Sequence, residues 1–359
     1  MIVFTRYLYN LDEVRLTFLD CLLKQENLKE CYYWIYEFYK SGYEERTWEL
    51  LWKIYCDFYL LKNPKMEVKI KEKYNIWKQN PTFKPIMWIV KNLFRQNSCY
   101  TVFMLRVYYC NRNTDILTSK MINLNGINYK TENEIMLVKA INEKKKISVC
   151  YHLKRIKDIE RRLLLVNTYL DTNIEYVENC DKYLYLLAKI TYYLKITPKK
   201  KVYYKIVSGR EVKEILKSDE SCRNDGKHND VSYVYKTLKS KRLYGISKNI
   251  GCFKLSREGE DINHLYWYHW EYYAYQSPLW KARFNKYNVK IIENKKTIEF
   301  DDEEEYEEFY EEYGYEPDEQ SKEVQEKSTC KIEKSTIKSW INSIFQKKLT
   351  KNVRVKIEY

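Results

Sequence analysis

The sequence predicts a mainly α protein: a helical-hairpin N-terminal domain, a helical middle and a small α+β C-terminal region. Three observations predict it. Only 8 Gly and 6 Pro punctuate 359 residues, against 37 Tyr. Apolar residues recur at the 3.6-residue spacing of amphipathic helices through most of the first 200 positions. Strand-like alternation is confined to short stretches after position 200. A hydrophobic content of 45% with 16% aromatic residues suits a packed core rather than disorder, and the length suits two domains or three.

The first 110 residues read as six helices. Asp12 caps a helix whose stripe is Val14, Phe18, Leu19, Leu22 and Leu23. Asn27 caps the next, with Leu28, Cys31, Ile35 and Phe38 on one face and Gly42 just past its end. Thr47 caps a third that carries Trp48, Leu51, Trp52, Tyr55, Phe58 and Tyr59, and Asn63-Pro64 stops it. A fourth spans Lys65 to Trp77. Pro81 and Pro85 break the chain before a fifth with Ile86, Ile89, Val90, Leu93 and Phe94, and a sixth runs from Ser98 to about Tyr109. Short helices joined by short turns suggest stacked hairpins. No tetratricopeptide, HEAT or ankyrin consensus recurs, so a solenoid-like stack and an irregular bundle both stay open.

Residues 111–130 are rich in turn formers and read as a linker. Helices resume at Thr131, where Thr131-Glu-Asn-Glu134 has the capping-box pattern. Ser148 to Leu170 and Asp181 to Lys195 are helical, and Pro198 ends the middle segment, 131–201. The region 202–359 changes texture. Val202 to Val207 reads as a strand and Ser218 to Asp230 as a loop. Ser240 to Asp261 is irregular, with Gly245, Gly251 and Gly259. Ser277-Pro278 is an N-cap and N1 pair. Val289–Ile292 and Thr297–Phe300 flank a four-residue turn as a hairpin. An acidic helix closed by Gly314 lies within 301–327, and Val353 to Tyr359 alternates like an edge strand.

Net charge is +14, which fits nucleic acid, an acidic protein surface or anionic lipid as partner. Abundant Lys, Asn, Ile and Tyr, all with AT-rich codons, offer base composition as the other source of that charge. The charge is also segregated. Residues 301–327 hold 14 Asp or Glu and two Lys, a net −12, which leaves +26 on the other 332 residues. Within it Tyr306, Phe309, Tyr310 and Tyr313 stand at i, i+3, i+4 and i+7. The ordinary meaning of such a stripe is an aromatic underside packed down with carboxylates facing water. The functional meaning is a dock for a basic partner or a screen over a basic groove.

The aromatic block 265–275 invites the same pair of readings. Tyr266, Trp267, Trp270 and Tyr273 are candidates for a partner surface, and buried packing is the commoner fate of such a run. Candidate phosphate contacts are Arg155, Arg161, Arg162, Lys199, Lys200 and Lys201.

The ten cysteines never form a CxxC and read as reduced thiols. The four histidines do not cluster: His264 and His269 are five apart, on different faces of a continuous helix. Cys222 and His228 lack two further zinc ligands at a recognised spacing. His152-Leu-Lys-Arg155 and Glu293-Asn-Lys295 match fragments of recombinase and nuclease motifs that a chain of this composition produces by chance. P-loop, dinucleotide, nucleophile-elbow and zinc-protease signatures are absent, so no cofactor is expected and an enzyme would need a site of dispersed residues. No run approaches the length of a membrane span and the N-terminal residues lack a long apolar h-region, so neither membrane insertion nor secretion is expected.

Two stretches carry a resemblance. One is Cys31-Tyr-Tyr-Trp-Ile-Tyr-Glu-Phe-Tyr-Lys-Ser-Gly42 with Leu51-Trp-Lys-Ile-Tyr-Cys-Asp-Phe-Tyr59. The other runs from Ser277-Pro-Leu-Trp280 through Tyr313-Gly-Tyr-Glu-Pro-Asp-Glu-Gln-Ser-Lys322. Both resemble proteins of no assigned activity in the nucleocytoplasmic large DNA viruses, the giant viruses of protists and algae. The resemblance implies a viral origin and a place in the cytoplasm of an infected cell, its viral factory, or the virion. It implies no activity and transfers no functional residue. The expectation is a non-enzymatic accessory or assembly protein that binds protein partners through helical-hairpin surfaces. The alternative is a basic nucleic-acid-binding protein of viral replication, transcription or packaging, with the acidic segment screening its groove.

Overall fold

A computed structural model describes residues 2–113, 115–117, 128–194, 202–224, 264–265, 268–313 and 337–349. It is mainly helical, with one small antiparallel sheet near its C-terminal end. The chain divides into two compact units. Unit 1 joins Met1–Thr47 to Ile206–Tyr359, and unit 2 is Trp48–Lys205. The sequence places its boundaries at 110, 130 and 201 instead. The difference has a physical cause. Ile2, Phe4 and Leu8 are buried in one core with Trp270, Trp280, Phe284 and Phe309, so the first residues belong with the C-terminal region.

Unit 1 begins with a helical hairpin, α1 (Leu11–Lys24) and α2 (Leu28–Lys40). Asn10, not Asp12, caps α1, its side chain accepting from the Asp12 amide. Asn27 caps α2 as expected, accepting from the amides of Lys29 and Glu30. Helix α3 (Glu44–Ile54) starts before Thr47. That residue lies inside the helix and donates its hydroxyl back to the Tyr43 carbonyl at 2.8 Å, so it is no cap.

Gly42 joins α2 to α3 at φ +88°, and a Cβ there would stand 2.7 Å from Pro278 Cβ. Both the left-handed backbone and the close approach require glycine. Gly42→Ala is expected to lower stability by about 1–3 kcal/mol, read from urea unfolding of the two proteins side by side.

The sharpest feature of unit 1 is a buried ion pair. Glu37 accepts from Arg6 Nε at 3.1 Å, from Arg6 Nη2 at 3.0 Å and from the Tyr7 amide at 3.0 Å. The Arg6 amide in turn donates to Ser41 Oγ at 2.9 Å.

The rest of unit 1 comes from the C-terminal part. Glu211 accepts from the Ser208 amide and hydroxyl at the start of α11 (Gly209–Asn224). The expected loop from Ser218 is therefore helix as far as Asn224. After α12 (Trp270–Tyr275), Ser277 caps α13 (Pro278–Phe284) with Pro278 in its first turn, as the sequence indicates. A 3₁₀ turn (Asn285–Tyr287) leads into strands β1 (Lys290–Ile292) and β2 (Thr297–Glu299). They pair antiparallel with Ile291 opposite Ile298, which is the expected hairpin. Helices α14 (Glu303–Tyr313) and α15 (Ile337–Leu349) follow, and α15 packs on α1. Gly314, the strand expected at 353–359 and the stretch 240–261 lie outside the described residues.

Unit 2 takes the chain on from Trp48. The end of α3 widens into a π-helical turn, Tyr55–Tyr59, where Leu60 N donates five residues back to the Tyr55 carbonyl. Helices α4 (Met66–Gln79) and α5 (Lys84–Phe94) stand where expected, with Pro85 in the first turn of α5. The sixth helix is shorter and also widens: α6 (Thr101–Met104) continues as a π turn, Leu105–Tyr109. The two π turns face each other through a bidentate pair. Arg106 Nε and Nη2 donate to Asp57 Oδ1 and Oδ2 at 3.1 and 2.7 Å, with Asp57 fully buried.

Helices α7 (Glu132–Asn142), α8 (Lys146–Arg155), α9 (Ile159–Leu170) and α10 (Lys182–Tyr193) complete the unit. The expected helix Ser148–Leu170 is broken at Ile156–Asp158, where Asp158 recaps α9. Residues 202–207 form no strand. The Asn92 carboxamide accepts from the Lys205 amide at 2.7 Å and donates to its carbonyl at 3.0 Å. One side chain thus satisfies the backbone groups that a neighbouring strand would have satisfied.

Candidate interaction surface

The acidic helix α14 is held by its underside. Phe309 is 0% exposed and stacks on Phe284 at 4.6 Å between ring centroids. Tyr310 and Tyr313 are half-buried against the same core, and their rings lie edge-on to Trp270 and Trp280. Tyr306, 42% exposed, leans on Phe300 at the rim. Packing, not intrinsic propensity, keeps this helix formed. Carboxylates stand at Glu303, Glu304, Glu307, Glu308 and Glu311, four or three residues apart, so like charges repel along the exposed face.

The carboxylates at the edges are satisfied from within unit 1. Lys290 pairs with Asp301, Asn288 Nδ2 donates to Glu305 at 3.3 Å, and Tyr310 donates to Glu271 at 2.7 Å. Glu312 accepts from Tyr287 at 2.6 Å and pairs with Lys286 at 3.4 Å. The Tyr287 hydrogen bond is the main reason its carboxyl titrates below the usual range. The carboxylates of Glu303, Glu304, Glu307, Glu308 and Glu311 make no hydrogen bond or ion pair among the described residues, and all five side chains are exposed. The result is a strip of negative charge on a helix anchored by its packed underside. The remainder of the acidic segment, 314–327, lies outside the described residues.

The other aromatic candidates divide. Trp270 and Tyr273 are core residues at 3% and 6% exposure, so packing claims them and they present no partner surface. Tyr273 gives its carbonyl to the Phe4 amide at 3.2 Å. Tyr266 and Trp267 lie outside the described residues. The His264 and His269 rings sit 5.1 Å apart. Different helix faces had been expected, but His269 leaves helical geometry at φ −142°. Among the described residues, no three metal-ligating side chains converge.

The phosphate-contact candidates are in unit 2, and each described one is engaged inside it. Arg161, 11% exposed, pairs with Glu134 at 2.9 Å and donates to the Asn128 carbonyl. Arg162 donates to the Ile156 carbonyl. Arg155 stacks over the Tyr151 ring at 3.3 Å and donates to the carbonyls of Tyr151 and Cys110. Arg162 thus closes the α8–α9 corner, Arg161 ties α9 to α7, and Arg155 ties α8 to the end of the second π turn. Lys199, Lys200 and Lys201 lie outside the described residues. His152, beside Arg155, donates or accepts at Nδ1 with Asn133 at 3.0 Å. Burial, then the Arg155 charge, holds its imidazole below the usual range.

Sequence reasoning missed a polar cluster in unit 2. Glu67 accepts from Tyr185 Oη at 2.6 Å and from Lys189, with Lys71 at 3.4 Å. Burial opposes ionisation of Glu67, but the Lys189 and Tyr185 hydrogen bonds outweigh it and hold the carboxyl below its usual range. The one legible signal was the four-residue spacing of Tyr185 and Lys189, which puts both on one helix face. Beside the cluster Cys56 and Cys180 approach to 3.8 Å between sulfurs. No described helix is long and apolar enough to cross a membrane. Compared with protein-family models, with curated proteins and with solved structures, the chain matches none.

Proposed function

We propose that this chain is a non-enzymatic interaction protein that docks a basic protein partner on the exposed face of α14. The observation that carries the reading is the set of five exposed carboxylates without a described partner, on a helix whose opposite face is locked into a core by Phe309. A partner rich in Lys or Arg relieves repulsion along that face and gains attraction at no cost in ordering the helix, which is already formed. The resemblance to giant-virus proteins extends the proposal to an accessory or assembly role in the infected cytoplasm or the virion. The nucleic-acid alternative loses support because Arg155, Arg161 and Arg162 are engaged within unit 2.

The test is binding of a fluorescent oligolysine peptide to the full chain from about 0.05 to about 0.5 M salt. Glu307→Lys with Glu311→Lys is expected to weaken binding about tenfold or more. Glu26→Lys with Glu45→Lys, the same charge change elsewhere on unit 1, is expected to leave it within about twofold. Equal losses in both variants would show a response to net charge alone and refute the site. Single-stranded DNA in parallel is expected not to compete. Tight DNA binding that survives both variants would instead establish the nucleic-acid reading.

A further inference from the structure

Unit 2 holds two thiols in reach of each other. Cys56 lies in the first π turn and is buried, whereas Cys180 is half-exposed in the connection between α9 and α10, one residue before the cap Asp181. Their sulfurs are 3.8 Å apart although 124 positions separate them in sequence. Helix α10, which begins two residues after Cys180, packs on the same π turn. Closing a disulfide from this distance needs the sulfurs to approach by about 1.8 Å, within the range of side-chain rotation. A widened turn is also a place where a helix backbone adjusts.

We infer that Cys56 and Cys180 are a modification site, at which a small disulfide such as oxidised glutathione converts the two thiols to an intramolecular disulfide. Cys180 is the entry point because it reaches solvent. Its thiolate attacks one sulfur of oxidised glutathione, breaks that S–S bond and releases one glutathione thiolate, leaving glutathione joined to Cys180. Cys56 then attacks the Cys180 sulfur. The mixed S–S bond breaks, the second glutathione leaves as thiolate and takes up the Cys56 proton, and the protein disulfide remains. Two protein thiols are oxidised and one glutathione disulfide is reduced to two thiols. The order of events suits the site. Burial, then the adjacent Cys180 sulfur, pushes the Cys56 thiol well above its usual range, so Cys56 is a poor first nucleophile. It is placed instead as the resolving thiol. The bond would staple the α9–α10 connection to the π turn beside Glu67 and Tyr185.

The experiment uses the full chain, reduced and then exposed to oxidised glutathione, blocked with N-ethylmaleimide, digested and mapped by mass spectrometry. The expected result is one dominant cross-linked species, Cys56 with Cys180, preceded by glutathione on Cys180. The unfolding midpoint of unit 2 should rise by about 10 °C, because the bond closes a long loop in the unfolded chain. Cys180→Ala should abolish the cross-link and Cys99→Ala should leave it. Mapping of the unaltered chain decides independently of how the variants fold. Glutathione persisting on Cys180 with Cys56 free, pairing among other cysteines, or an unchanged midpoint would each overturn the inference.

Discussion

Trp280→Ala is expected to cost unit 1 about 3–5 kcal/mol, and about 1 kcal/mol more for its hydrogen bond. Trp280 is 0% exposed, lies edge-on to Trp270 and tilts against Phe284. Its indole N–H donates to the Thr5 carbonyl at 2.9 Å, so one side chain fills the core and fixes the N-terminal segment. Trp280→Phe separates the two roles. It keeps most of the ring contact and removes one of two donors to the Thr5 carbonyl, which still accepts from the Leu8 amide at 3.0 Å, and should cost about 1–2 kcal/mol. Urea unfolding followed by tryptophan fluorescence and by far-ultraviolet circular dichroism reads both. A loss below about 1 kcal/mol for the alanine variant would mean that the first residues do not share this core.

The second large effect is expected at Glu37. Glu37→Ala removes the buried carboxylate to which the Arg6 guanidinium donates through Nε and Nη2 and should cost about 3–5 kcal/mol. Three hydrogen bonds to the Glu37 carboxylate disappear together. The double variant Arg6→Met with Glu37→Leu removes both charges and should recover most of the loss, because desolvating the pair consumes much of its Coulombic gain. If the double variant is as unstable as Glu37→Ala, packing around Tyr7 and Tyr36 rather than charge sets the value, since Arg6 also lies over both rings.

Features specified by neighbours in sequence were legible. Asn27 capping α2, Ser277-Pro278 opening α13 and the hairpin at 290–299 are each set by a few adjacent residues. So is the aromatic underside of α14, whose period alone shows which face is buried. Features made by distant residues were not. Nothing local announces that Phe4 meets Tyr273, that Asp57 receives Arg106 across two π turns, or that Cys56 stands beside Cys180. The caps failed where two polar residues competed: Asn10 took the role expected of Asp12, and Thr47 was absorbed into a helix that Glu44 and Glu45 begin. The strand expected at 202–207 failed because alternation specifies an extended backbone but not what pairs with it, and Asn92 supplied the pairing. The candidate site was half legible. Segregated charge pointed to α14, but burial divided its aromatic partners into core and rim, and the three described arginines make contacts within unit 2 that no local pattern announces.

The most direct measurement of the docking face is hydrogen exchange of the full chain with and without saturating oligolysine peptide, read peptide by peptide. Slowed exchange confined to 303–313 and its flanking hairpin is the expected result, and it should vanish in the Glu307→Lys, Glu311→Lys variant. Protection centred elsewhere, or the same protection in that variant, would contradict a basic partner seated on α14.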